Sequence, residues 1–416
     1  MSSHTSNDRG AATTRGRFGP GLLVTAAFIG PGTVVTASRA GAEFGDALLW
    51  GVLFSVVATA SLQEMAARLG LVTRRGLAEA IRTTLRPAAA RGPAVGLVLT
   101  AVVLGNAAYQ TGNLIGAGAG VAMLTGLPAD RAAGVLGALV TAGLALGVAS
   151  QWARVALIVV VLSMSGAFLF AAAASSPDPA AVLRGVTTPS LPAGALLTLV
   201  ALIGTTVVPY NLFLHATAVQ QRWPEGVDVR QALRWARIDS TLAIGLGGVV
   251  TAAVVVTAAA ALHGGDGAAP GLPAIGEQLR PALGRAGQAV FAAGLVAAGL
   301  TSAVTAPLAA GFAARGSLGG DSGDRIARRV TLAVAAAGAV LAFAFGKSPS
   351  QAIVVAQAAN GLLLPLVAVF LLAVMNNGAL LGEHRNRLAG NLLGAAVTLV
   401  AVGLGATQLL RAAGFI

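Results

Sequence analysis

Apolar residues run along this chain in long stretches separated by short polar segments. At about 20 residues per crossing of a ~30 Å hydrocarbon layer, the pattern predicts eleven membrane helices. They cover residues 20–42, 47–68, 93–124, 132–150, 153–175, 193–221, 238–262, 286–313, 328–346, 350–375 and 388–413. Two of them contain helix-breaking signals. One is Ala27-Phe28-Ile29-Gly30-Pro31-Gly32-Thr33; the other is Gly204-Thr205-Thr206-Val207-Val208-Pro209-Tyr210-Asn211. A proline inside a helix removes a backbone hydrogen bond and clashes with the preceding turn. Broken backbone is tolerated at membrane depth only where protein or a water-lined cavity satisfies it. Two breaks in corresponding spans, five apart, point to the binding site of a secondary transporter.

Composition agrees. The 416 residues are 56% hydrophobic and 10% charged, far below the roughly 25% charge of a soluble domain. The chain is therefore read as an all-α integral membrane protein with one transmembrane domain over 18–416. Residues 1–17 are polar, carry Arg9, Arg15 and Arg17, and lack an apolar signal core; they read as a disordered cytoplasmic tail.

The net charge of +12 does not mark a nucleic-acid partner, because the basic residues sit in short loops. Arg68, Arg74, Arg75, Arg82, Arg86 and Arg91 follow the second span, and Arg222, Arg230, Arg234 and Arg237 follow the sixth. Alternate loops hold few: Arg184 after the fifth span, Lys347 after the ninth. The positive-inside rule then places the N-terminus in the cytoplasm and the C-terminus outside, in the cell's plasma membrane. The chain has no cysteine, which excludes disulfides and thiolate metal sites. No paired intramembrane carboxylates and no nucleophile–base pair are found, so an enzyme is not expected, and no cofactor is called for.

Several local sequences carry a family likeness. Gly30-Pro31-Gly32-Thr33 with Ala40-Gly41-Ala42-Glu43-Phe44-Gly45, and Val208-Pro209-Tyr210-Asn211-Leu212-Phe213-Leu214-His215, resemble the first and sixth helices of Nramp divalent-metal transporters. Leu62-Gln63-Glu64, Arg68-Leu69-Gly70, Arg237-Ile238-Asp239-Ser240 and Gln357 ahead of Leu362-Leu363-Leu364-Pro365 are similar too. The resemblance implies a LeuT-like fold: two inverted five-helix repeats plus an eleventh helix, with helices 1 and 6 broken. It also implies alternating access and metal-ion transport.

In that family a first-helix Asp and Asn, a sixth-helix Met and a tenth-helix Gln hold the metal. By resemblance those positions are Gly30, Thr33, Val208 and Gln357 here, while the first sixth-helix His is Tyr210. Gln357 and the carbonyls of Ala27 and Thr205 remain as metal ligands. The third-helix acids tied to proton movement correspond to Gln110 and Asn113; the second sixth-helix His persists as His215. The substitutions argue against transition-metal transport by the usual mechanism.

The candidate substrate site is thus Ala27, Gly30, Thr33, Thr205, Thr206, Val208, Tyr210, Asn211 and Gln357, with His215, Gln110 and Asn113 as proton-pathway candidates. Neutral hydrogen-bonding groups around a tyrosine suit a small neutral or zwitterionic organic solute, an alternative cargo to a loosely held metal ion. A non-transporting sensor or scaffold is the rival from another class. Arg39, a turn or two beyond the first break, is expected to pair with Glu43 at i+4. Partners expected are the small substrate and the bilayer, with a monomer left open.

Overall fold

The structure is a computed structural model describing residues 29–84, 88–148, 150–264, 270–319, 322–412 and 414. The N-terminal tail and Ala27 lie outside the described residues. Twelve long helical segments carry the fold: α1 Pro31–Phe44, α2 Leu49–Thr73, α3 Ala88–Thr125, α4 Ala129–Leu146, α5 Gln151–Ala174, α6 Leu196–Thr206, α7 Pro209–Arg222, α8 Val229–Leu262, α9 Gly287–Leu318, α10 Ser322–Phe345, α11 Pro349–Met375 and α12 Leu388–Ala412. No strand occurs among the described residues.

These segments form ten apolar stretches of membrane-spanning length. The first, Pro31–Thr73, contains two of the expected spans, α1 and α2, joined by a single 3₁₀ turn at Gly45–Leu48. The sixth expected span is the α6–α7 pair. Ten of the expected spans are thereby accounted for, together with the part of the first from Pro31 onward; its residues 20–28 lie outside the described residues. Boundaries shift where polar turns extend an apolar core: α3 starts at Ala88, ahead of the expected 93, and α8 at Val229, ahead of 238.

The connections hold more helix than the apolar pattern suggested. Leu77–Thr84, Pro179–Thr187, Leu272–Glu277 and Arg280–Leu283 are short helices within stretches read as loops. Asp178 caps Pro179–Thr187 through its side chain. Such helices lie outside any run of apolar residues and so escape a search for spans.

The broken pair sits at the centre. The most apolar window of Leu196–Arg222 is 94% buried. α8 runs along α1, α11 along α6, and α9 along α3. Small residues permit the closest approach: a Cβ on Gly204 of α6 would lie 2.2 Å from the Gln357 carbonyl oxygen of α11. Large apolar side chains on α4 and α5, such as Leu139, Phe170 and Trp152 at 84% exposure, face outward, where the hydrocarbon of a bilayer would cover them.

Candidate functional site

Both breaks use the same local device. Gly30 precedes Pro31 and Val208 precedes Pro209, and the residue before a proline is pushed out of the helical region. Gly30 is extended (φ −87°, ψ 172°) and Val208 likewise (φ −83°, ψ 114°). Each proline then opens a helix at its first position, where the missing N–H costs nothing. Neither Gly30 nor Val208 supplies a side-chain cap. α6 ends at Thr206, and the Thr205 carbonyl has no amide four residues on, because that residue is Pro209. Thr59 of α2 donates to the Thr206 carbonyl at 3.3 Å.

The breaks meet. Thr33 Oγ1 lies 2.9 Å from Thr205 Oγ1, both buried. Gln357 of α11 packs onto the start of α1: a Cβ on Gly32 would lie 2.2 Å from its Nε2. Neither Gln357 amide atom has a hydrogen-bond partner, and the residue is fully buried. On the other flank, a Cβ on Gly30 would lie 3.4 Å from the Tyr109 hydroxyl, 3.4 Å from Ser302 Oγ and 3.7 Å from Asn113 Oδ1. Asn113 is also fully buried with both amide atoms unpartnered. Tyr109 and Tyr210 stack edge to face at 5.3 Å, packed with Val208. The sequence alone gave no reason to include Ser302; serines on membrane helices usually bond their own helix, as Ser165 does to the Val161 carbonyl.

The remaining candidates divide. Asn211, in the first turn of α7, is buried with its amide unpartnered. Thr206 bonds its own helix at the Leu202 carbonyl, 3.2 Å away. Gln110 turns toward α9 and α10, donating to the Ala303 carbonyl at 3.0 Å and packing on Gly338. His215 is fully buried between α7 and α8, its Nε2 3.3 Å from Ser240 Oγ. Among the described residues no three His, Cys, Asp or Glu side chains gather at one point, and no carboxylate is among the buried polar residues.

The two faces of the bundle differ. On the arginine-rich face Glu64 Oε1 accepts from Arg237 at 2.8 Å and its Oε2 from Arg68 at 3.0 Å. Arg68 also donates to the His384 carbonyl at 2.8 Å and to Asn386 Oδ1 at 2.7 Å. This network ties α2 to α8 and to the α11–α12 connection. The opposite face holds a cavity of about 710 Å³ beside Arg39, Met123, Leu272 and Gln351. Arg39 pairs there with Glu43 at 2.5 Å, as its spacing suggested. Between the faces, a void of only about 10 Å³ lies beside Asn106, Tyr210 and Asn360, room for one water at most.

A family model described as natural resistance-associated macrophage protein-like matches residues 21–411. The chain belongs to the Nramp family. Its Nramp relatives include the divalent metal cation transporter MntH of Yersinia pestis, 30% identical over 406 residues and 94% of each chain. The MntH of Verminephrobacter eiseniae is 30% identical over 91% of this chain and 85% of its own. Among solved structures, the Eremococcus coleocola manganese transporter superposes with a TM-score of 0.74 at 23% identity, over 94% of this chain and 85% of that one. Mhp1, a nucleobase-cation-symport-1 family transporter in a closed conformation, gives 0.57 at 14% identity over 95% and 93%. These structural likenesses establish the LeuT-like fold expected from the sequence, and the chain is a multi-pass membrane protein.

Proposed function

We propose that this chain is a secondary transporter working by alternating access, with its cargo held between the Gly30 break and the Val207–Val208 break. The observation that carries the reading is the pair of buried carboxamides, Asn113 and Gln357, unpartnered on either side of the start of α1. An unsatisfied buried polar group costs about 1–3 kcal/mol, and a bound solute meets that need. Thr33, Thr205, Thr206, Tyr210 and Asn211 complete a lining that is polar and uncharged, with Gly30 and Val208 setting the backbone. Ala27, which lies outside the described residues, is assigned to it on the family resemblance alone.

Charge selects the cargo. Relatives of this chain are divalent metal cation transporters, yet a divalent ion stripped of water needs anionic ligands to offset its desolvation. With glycine at 30, threonine at 33 and valine at 208, the site lacks them. A small neutral or zwitterionic organic solute suits it better. The second reading, supported by that kinship, is a divalent ion that keeps most of its water and touches Gln357 Oε1 and the carbonyls of Thr205 and Ala27.

His215 is the member of the proton-pathway set with an ionisable side chain; Gln110 and Asn113 carry no titratable proton and serve as hydrogen-bonding groups. The arginine-rich face is cytoplasmic by the positive-inside rule, which puts the N-terminus inside, the C-terminus outside and the large cavity on the outer side.

The test is flux in proteoliposomes. Exchange of a labelled organic solute without manganese uptake supports the principal reading; manganese uptake without organic exchange supports the second. Absence of both, with no ligand raising the thermal midpoint, returns the protein to the sensor or scaffold class.

A further inference from the structure

The corner between α7 and α8 carries chemistry that the cargo site does not use. α8 begins at Val229, ahead of the apolar run that opens at 238. Along it Trp235, Ile238, Leu242, Leu246 and Val249 are all exposed, at spacings of three and four residues that place them on one side of the helix. In a bilayer such a stripe is covered by acyl chains. Val249 stands beside the midpoint of the 238–262 span, and 14 residues of helix put Trp235 about 21 Å from it. Half of a ~30 Å hydrocarbon core is about 15 Å, so Trp235, 56% exposed, reaches the headgroup layer, where tryptophan is favoured. One turn earlier the same face turns polar at Gln231.

Beside this end of the stripe lies a cavity of about 450 Å³. Arg222 and Trp223 line it from the end of α7, and Gln231, Trp235 and Asp239 line it from α8. The guanidinium carbon of Arg222 is 5.7 Å from the centre of the Trp223 ring, a cation–π contact that holds the group without neutralising it. Arg230 and Arg237 are paired with Glu383 and Glu64; Arg222 has no such carboxylate among the described residues. Arg74 of α2 braces the corner by donating to the Trp223 and Pro224 carbonyls, which brings a second cation alongside. Of the nearby acids, Asp239 is engaged within the structure, Asp228 caps α8 at the Arg230 amide, and Glu225 is exposed in the turn.

We infer that this cavity holds the headgroup of an anionic phospholipid of the phosphatidylglycerol type. Its phosphate accepts from Arg222 and from the Gln231 amide, and one acyl chain lies along Ile238, Leu242 and Leu246. A cationic pocket on the arginine-rich face, opening onto an apolar stripe, recognises both parts of such a molecule. A free phosphate would leave the stripe unused. The site stands apart from the cargo site and does not depend on what is carried.

Tryptophan fluorescence tests this. The chain has four tryptophans, and in Trp50→Phe/Trp152→Phe the two that remain both line the cavity. This full-length variant is placed in phosphatidylcholine vesicles containing brominated phosphatidylglycerol or, separately, brominated phosphatidylcholine. Brominated phosphatidylglycerol is expected to quench at about fivefold lower mole fraction, the effect of one guanidinium at a membrane surface. Arg222→Gln is expected to abolish that preference. Arg387→Gln, exposed on the same face outside the cavity, is expected to keep it. On the unaltered chain, phosphatidylglycerol is expected to raise the thermal midpoint above its value in phosphatidylcholine, whereas millimolar glycerol 3-phosphate does not. Equal quenching by the two lipids overturns the inference, as does an equal loss of preference in Arg222→Gln and Arg387→Gln, which would show attraction to the whole face. A midpoint unmoved by phosphatidylglycerol also overturns it, and one raised as far by glycerol 3-phosphate overturns the lipid assignment in favour of a soluble phosphate.

Discussion

The Thr33 hydroxyl stands 2.9 Å from the Thr205 hydroxyl, and that bond joins the first helix break to the sixth across 172 residues of sequence. Replacing both with valine separates its contribution from that of each side chain. Thr33→Val and Thr205→Val are expected to couple by about 0.5–1.5 kcal/mol in a double-mutant cycle of stability. Strictly additive effects would show that the breaks are positioned by other contacts.

Two glycines beside Gln357 are expected to respond differently. In Gly32→Ala the new methyl meets the flexible end of the Gln357 side chain, which can swing away. The fold survives, and cargo affinity falls about tenfold because the amide is displaced. In Gly204→Ala the methyl meets backbone, 2.2 Å from the Gln357 carbonyl oxygen and 2.5 Å from the Gly361 nitrogen. Overpacking of this kind costs about 1–3 kcal/mol. Thermal midpoints and ligand titrations on both variants check the contrast.

Glu64→Gln is expected to loosen the arginine-rich face, since one carboxylate holds both Arg68 and Arg237. The chain contains no cysteine, so a single introduced thiol reports on one position. Ala67→Cys, buried on α2, should label several-fold faster when combined with Glu64→Gln. Ala122→Cys, which lines the cavity on the opposite face, should label more slowly. Unchanged rates at both would show that the network does not hold that face closed.

Among the buried polar residues described, His215 is the one histidine and no carboxylate joins it, so a proton carried with the cargo is expected to reside on its ring. His215→Gln is expected to flatten the pH dependence of transport. A profile that keeps its shape would assign the titration to another group.

The spans and both breaks were legible because each rests on a local rule: an apolar run long enough to cross a bilayer, and a proline that forbids helix at the residue before it. The Arg39–Glu43 pair followed from i,i+4 spacing in the same way. What was not legible depends on which way a side chain turns. Gln110 and Asn113 lie less than one turn apart on α3, yet one reaches the Ala303 carbonyl of α9 while the other faces Gly30. Ser302 stayed hidden because its role exists only where α9 passes the first break. The short helices between spans escaped because nothing apolar announced them.

The central claim is that this Nramp-family site holds its cargo without charged ligands. Calorimetric titration of manganese chloride into the purified parent protein, beside the Gly30→Asp, Thr33→Asn, Val208→Met triple variant, tests it most directly. The account predicts no saturable heat from the parent and saturable binding by the triple variant, whose scaffold would then hold the ligands it was missing. Saturable manganese binding by the parent at one site per chain would contradict it.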